Sequence, residues 1–186
     1  MTNRTLPDNA ILIPDNAKRV FKGEIFDVYQ WQQEMFDGTF ETFEMLKRPD
    51  TVIIIAIDGD KIVVLDEEQP NGIVRKNSLP AGRVNATDET SLAAAKRELA
   101  EETGLQFGKW ALLKVTQPQS KLEWFKYVYI ASEKIGEIAP KHYAGEKITI
   151  KRVSFEEFKK QHTDRIKELE DVNSIEQLLE KAKIYE

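Results

Sequence analysis

A mixed β-sheet with helices on its faces, preceded by an antiparallel β-ribbon, is the α/β fold class that the sequence predicts. Three observations predict it. "TVIIIAI" (51–57) is a continuous run of β-branched and apolar residues, the pattern of a strand buried on both faces. The segment 90–103 is helical in composition and is followed by Gly104. Two aromatic-rich segments flank Asp37-Gly38, a strong hairpin signal. With 186 residues, 41% hydrophobic and 32% charged, the chain can build one substantial core. We divide it into residues 1–46, an N-terminal segment and ribbon, and 47–186, a main domain ending in helices.

Taken in order, residues 1–17 are polar and carry two "PDN" triplets suited to turns. From Lys18 to Leu46 the ribbon is apolar on both faces, with Phe26 and Val28 on one and Ile25, Tyr29 and Trp31 on the other. A lone two-sided ribbon is unstable in water, so it should pack on something, a second subunit being one option. After 51–57, "DGD" turns the chain into "KIVVL" (61–65), and 66–80 reads as loop. Further strands are expected at 110–116, 124–132 and 147–153. Ser154 with Glu157, and Ser174 with Gln177, have capping-box spacing and should each open a helix.

Charge and composition exclude several functions. A net charge of −5 is the opposite of the basic surface of a general nucleic-acid binder. There are no cysteines, which removes disulfides, thiolate metal sites and cysteine nucleophiles. No run approaches the ~20 apolar residues of a membrane span, and the N-terminus has no signal-peptide core; a cytoplasmic location is the expectation. His142 and His162 are isolated and have no metal-ligand spacing.

The segment "LPAGRVNATDETSLAAAKRELAEETGL" (79–105) carries the chemistry. Leu92, Ala95 and Leu99 form a packing stripe, and Glu98, Glu101 and Glu102 lie roughly a quarter-turn away from it. Like charges at this spacing repel by a few tenths of a kcal/mol per pair, and the helix C-terminus favours cations. A hard divalent cation such as Mg²⁺, shared between carboxylates, water and phosphate oxygens, would relieve the crowding. The competing reading is an ordinary solvated acidic helix, which "EETG" alone would favour. The loop with Pro80, Gly82 and Asn85 can bring backbone close to a ligand.

The residues resemble the Nudix box, G-x5-E-x7-R-E-U-x-E-E-x-G-U with U aliphatic. Arg97, Glu98, Leu99, Glu101, Glu102, Gly104 and Leu105 match its second half, and seven residues separate Glu89 from Arg97. Six residues instead of five separate Gly82 from Glu89; Asp88 suits the first spacing but not the second. We keep Glu89, placing the extra residue in the loop. The resemblance implies an α/β/α sandwich and metal-dependent hydrolysis, with Mg²⁺ or Mn²⁺, of a nucleoside diphosphate linked to another moiety. It implies Glu98, Glu101, Glu102 and the Ala81 carbonyl as metal ligands, with Glu101 and Glu102 also catalytic. Arg97 would orient the site by pairing with Glu89.

From about residue 18 to 153 the chain is similar to the ADP-ribose and nucleotide-sugar pyrophosphatase branch. That branch implies a homodimer through the ribbon. Where relatives carry a basic stretch, this chain has "DEEQPNG" (66–72). Glu123 is the best positional match for a base acting on water, with Glu146 in reserve. Arg83 and Lys121 could meet phosphate, or be plain surface charges. Trp31 could stack on a base, although packing is the commoner use of such an aromatic. Other nucleotide substrates, and a non-catalytic nucleotide-binding regulator, remain alternatives. All the box glutamates are present, which favours catalysis.

Overall fold

The computed structural model describes residues 4–141 and 147–183. The ribbon forms as β1 (Lys18–Lys22), β2 (Asp27–Glu34) and β3 (Phe40–Lys47), with Gly38 in the left-handed region at the tip. Both "PDN" triplets make turns, in which the Ala10 and Ala17 amides donate to the Pro7 and Pro14 carbonyls at 3.0 and 2.9 Å.

The main strands are β4 (Thr51–Asp58), β5 (Lys61–Glu68), β6 (Val74–Ser78), β7 (Ala81–Arg83), β8 (Leu105–Thr116), β9 (Leu122–Glu123), β10 (Lys126–Glu137) and β11 (Lys147–Val153). Helices are α1 (Ser91–Thr103), α2 (Phe155–His162) and α3 (Ile175–Lys181). The ribbon sheet runs β1-β2-β3-β9. The central sheet runs β11-β5-β4-β10-β8, with β6 paired to β5 and β7 to β4.

Alternation along β4 divides the core, because side chains two apart share a face. Val52, Ile54 and Ala56 pack with Ala94, Ala95 and Leu99 of α1. Ile55 and Ile57 face the other way, onto Phe158 of α2 and Leu178 of α3. Helices therefore cover both faces, the expected α/β/α sandwich.

The expected helix boundaries hold because their caps are made. The Thr90 side chain accepts from the Ala93 amide, and Gly104, at φ 74°, closes α1 with a bond to the Ala100 carbonyl. The Ser154 and Ser174 hydroxyls accept from the Glu157 and Gln177 amides. Two expectations need correction. Residues 66–80 are not all loop: β5 extends to Glu68 and β6 pairs back on it, with Arg75 opposite Glu67. β8 begins at Leu105, directly after the helix cap, because its first residues pair with β10.

Candidate active site

A cleft of about 730 Å³ opens on the α2 face of the central sheet. This lies within the usual size range of small-molecule sites. Its floor is two cross-strand rows. Ala81, Ile53, Val128 and Lys114 are aligned across β7, β4, β10 and β8, and Arg83, Lys126 and Thr116 line the cleft from the next row, whose β4 member is Thr51. The α1 glutamates close the β7 end, while His162, Arg165 and Ile166 approach from the end of α2.

At the acidic end the Ala81 amide donates to Glu102 Oε2 at 3.1 Å. Gly82 is required beside it: a Cβ there would lie 1.9 Å from the Glu98 carboxyl carbon. The missing side chain is therefore a cradle for a carboxylate. Arg97 answers the helix's like-charge crowding. Its Nη1 donates to Glu98 at 2.8 Å and Glu101 at 2.9 Å, and its Nη2 donates to the Arg83 carbonyl at 2.8 Å.

The remaining guanidinium donors form a two-pronged bond to Asp88, at 3.0 and 2.8 Å. This corrects the pairing expected from the sequence. Arg97 is bound by Asp88, which is buried, and Glu89 is exposed. The six-residue offset from Gly82 to Asp88 has the box spacing. The extra residue falls between Asp88 and the Thr90 cap, where it does not disturb the helix. The Asp88 side chain also accepts from the Asn85 amide at 2.8 Å, closing the loop on itself.

The Arg97 guanidinium holds the Asp88 carboxyl below its usual range, with burial opposing. Burial pushes the Glu98 carboxyl up, against the pull of Arg97. A half-buried carboxylate held this way favours the arrival of a cation. Three carboxylates and a backbone segment supply only oxygen donors, the set that suits Mg²⁺ or Mn²⁺. Among the described residues no three acids or histidines converge closely enough to hold an ion alone. An ion here would complete its shell with substrate oxygens and water, which is typical of Mg²⁺.

The other sequence candidates separate. Arg83 lines the cleft. Glu123 does not: its Oε1 takes bonds from Arg4 at 3.0 Å and Lys47 at 2.7 Å, and its Oε2 from the Ile13 amide at 2.9 Å. Burial alone would raise the Glu123 carboxyl, but these donors hold it below its ordinary value. Lys121 is exposed, away from the lining residues, and its carbonyl accepts from the Leu46 amide. Trp31 lies on the ribbon against Phe43, ring centroids 6.1 Å apart, with its Nε1 donating to Gln33. Glu146 and His142 lie outside the described residues.

The far wall has no counterpart in the sequence pattern. Lys126, Arg165 and His162 carry no local motif and meet only through strand pairing and the return of α2. His162 is buried; burial pushes its imidazole down, and its Nε2 is 3.0 Å from the Asn77 carbonyl. Arg75 also lines the cleft, 3.1 Å from Glu67. It restores an arginine near the acidic "DEEQPNG" stretch, which no reading of 66–80 as loop could supply.

Comparison with known proteins matches the NUDIX domain family to residues 47–172. The chain is similar to ADP-ribose pyrophosphatase of Bacillus subtilis (strain 168), at 28% identity over 100 residues. That match covers 53% of this chain and 52% of the relative, so the chain spans about half the length of that curated relative. Among solved structures it resembles the crystal structure of ADP compounds hydrolase, with a TM-score of 0.62 and 20% identity over 92% of both chains. At that identity the likeness concerns the fold.

Proposed function

The chain belongs to the Nudix family of pyrophosphohydrolases, and from that premise we propose that it cleaves the diphosphate bond of a nucleoside diphosphate linked to a sugar. ADP-ribose or a nucleotide sugar is the favoured substrate, and a nucleoside monophosphate and a sugar phosphate are the products. The observation that carries this reading is the group of α1 carboxylates at one end of a nucleotide-sized cleft, with Glu98 and Glu102 against Ala81–Gly82 and Glu101 held beside them by Arg97. The name of the Bacillus subtilis relative supports ADP-ribose among the candidates.

In this reading a water oxygen bonds to one phosphorus, the bridging oxygen leaves with the other phosphoryl group, and the water proton passes to a carboxylate. Bound Mg²⁺ or Mn²⁺ would neutralise diphosphate charge and lower the pKa of water. Glu98, Glu101, Glu102 and the Ala81 carbonyl would hold that metal. Arg97 is a positioning residue: it fixes Glu98 and Glu101 while Asp88 fixes it. Glu101 and Glu102 take the catalytic roles, since Glu123 is engaged by Arg4 and Lys47 away from the cleft. Arg83, which lines the cleft at the end of β7, would meet a phosphate oxygen.

We assign residues 1–46 to dimerisation, with 47–186 as the catalytic unit. The ribbon exposes Val20, Phe21, Phe36, Phe40 and Phe43. An apolar surface of this kind marks an interaction site. Trp31 then serves ribbon packing.

The test is incubation with Mg²⁺ and a panel of nucleotide sugars and ADP-ribose, with monophosphate products separated and measured. We expect turnover of at least one substrate and a loss of roughly a hundredfold or more in Glu101→Gln/Glu102→Gln. Tight nucleotide binding without any product from the panel would overturn catalysis in favour of a regulatory domain.

A further inference from the structure

The cleft's far wall has a charge imbalance that the acidic end does not explain. Lys126 and Arg165 both line the cleft, and among the described residues neither has a carboxylate within ion-pair distance. Neighbouring Lys114, by contrast, is neutralised by Glu168 at 2.7 Å. Lys126 is half-buried, and its ammonium sits 4.5 Å from the centre of the Trp124 ring. The Arg48 guanidinium lies 4.5 Å from the same ring, and its buried Nε has no hydrogen-bond partner. A partly desolvated cation beside further cations is costly unless an anion completes the group. Burial, then the charges of Arg48 and Arg165, push the Lys126 ammonium down from its ordinary value.

Register separates this wall from the carboxylate cluster. Lys126 pairs with Thr51 on β4, and Thr51 pairs with Arg83 on β7. Two strand spacings place the Lys126 and Arg83 backbones roughly 10 Å apart. The acids sit over Ala81 and Gly82 at the β7 end. Arg83 is therefore the cation adjacent to a diphosphate held by the acids, while Lys126 and Arg165 face a different part of any ligand. Thr116, beside Lys126 on β8, adds a hydroxyl to the same patch.

We propose that Lys126 and Arg165, with the Thr116 hydroxyl, form an anion subsite for a phosphomonoester that the substrate carries in addition to its scissile diphosphate. This deepens the proposed function and rests on it for the position of the scissile bond. A phosphomonoester carries about −1.5 to −2 charges at neutral pH, which matches the two cations that line this cleft, Arg48 lying outside its lining; a carboxylate would leave one of the two uncompensated. The extra phosphate belongs either to the nucleoside or to the linked sugar. The substrate class is thus a nucleoside diphosphate derivative with a third phosphate, set apart from the first two.

Binding of ligands that lack a scissile bond separates this idea from hydrolysis. Dissociation constants are measured by calorimetry for the 3′,5′-bisphosphates and 2′,5′-bisphosphates of adenosine, guanosine, cytidine and uridine against their 5′-monophosphates. Ribose 1,5-bisphosphate against ribose 5-phosphate forms the sugar arm. In one arm the bisphosphate should bind roughly tenfold or more tighter than its monophosphate, as charge-assisted contacts to a dianion imply. Lys126→Gln and Arg165→Gln should each remove most of that advantage while leaving monophosphate binding within about twofold, and Lys126→Arg should retain it.

Equal binding of mono- and bisphosphates in every arm would overturn the proposal. So would variants that weaken both ligands equally, since the cations would then serve the shared phosphate. Thermal unfolding of Lys126→Gln guards against misfolding, and Arg165→Gln at an exposed position repeats the test independently. Substrate turnover without any preference for an extra phosphate would leave the proposed function standing and remove only this subsite.

Discussion

Arg97 donates to five acceptor atoms: two on Asp88, one each on Glu98 and Glu101, and the Arg83 carbonyl. A planar fork can do this and an ammonium cannot. The Asp88 pair should therefore matter and Glu89 should not. Asp88→Asn is expected to cost about 2 kcal/mol in thermal or urea unfolding, the scale of breaking one buried charge-assisted pair. Glu89→Gln should fall within about 0.5 kcal/mol of the parent, as an exposed surface change does. A larger loss at Glu89 than at Asp88 would refute the pairing. Gly82→Ala separates fold from site. The added Cβ meets the tip of the flexible Glu98 side chain, which can swing away, so the protein should fold. Its turnover should drop by roughly tenfold or more because a carboxylate is displaced. Normal turnover would show that Glu98 is not needed where it sits.

Among elements, the segment preceding the ribbon has no regular structure yet is tightly tied. Arg4 makes a two-pronged bond to Asp50 and a third bond to Glu123, while Glu123 takes the Ile13 amide and Lys47. Asp50 in turn accepts from the Phe125 amide at 2.9 Å. This network joins the N-terminal segment, the end of β3 and the start of β10 around two buried carboxylates. Glu123 has a folded pKa below its unfolded value. Its stabilisation is thus present above the ordinary glutamate pKa and lost as pH falls through the lower, folded value. Glu123→Gln should lower stability at neutral pH by about 2 kcal/mol and flatten the acid limb of the stability profile. Turnover of the folded enzyme should remain near normal. A large fall in turnover at unchanged stability would return Glu123 to the role of base.

At the scale of the molecule, the ribbon sheet and the central sheet meet through β9, which pairs with β3 in parallel. Among the described residues the ribbon's outward phenylalanines Phe21, Phe40 and Phe43 are only partly covered, and Phe36 is fully exposed. Sedimentation at micromolar concentration should give a dimer, and Phe21→Glu with Phe43→Glu should shift it to monomer, since charges at an apolar interface core are strongly disfavoured. A parent protein that sediments as a monomer would refute dimerisation through this surface. No helix among the described residues is long and apolar enough to cross a membrane.

Much of this protein is legible locally. Strand β4, the three helix caps and the glutamates of α1 depend on residues within one turn or one strand of each other, so their periodicity and spacing declare them. Even the acid that binds Arg97 has a local signal, because Asp88 keeps the box spacing from Gly82 and the extra residue, Glu89, fits between it and the Thr90 cap. The far wall of the cleft is a different matter. Lys126 and Thr116 lie on separate strands and Arg165 in the turn after α2, and they become neighbours only because β10 pairs with both β4 and β8 and the chain returns over their face after α2. The fate of Glu123 was decided in the same way, by Arg4 more than a hundred residues away. Short-range steric and hydrogen-bonding rules write the elements and the acidic half of the candidate site into the sequence. The basic half, and the choice between a catalytic and a structural carboxylate, depend on long-range strand register that local pattern does not encode.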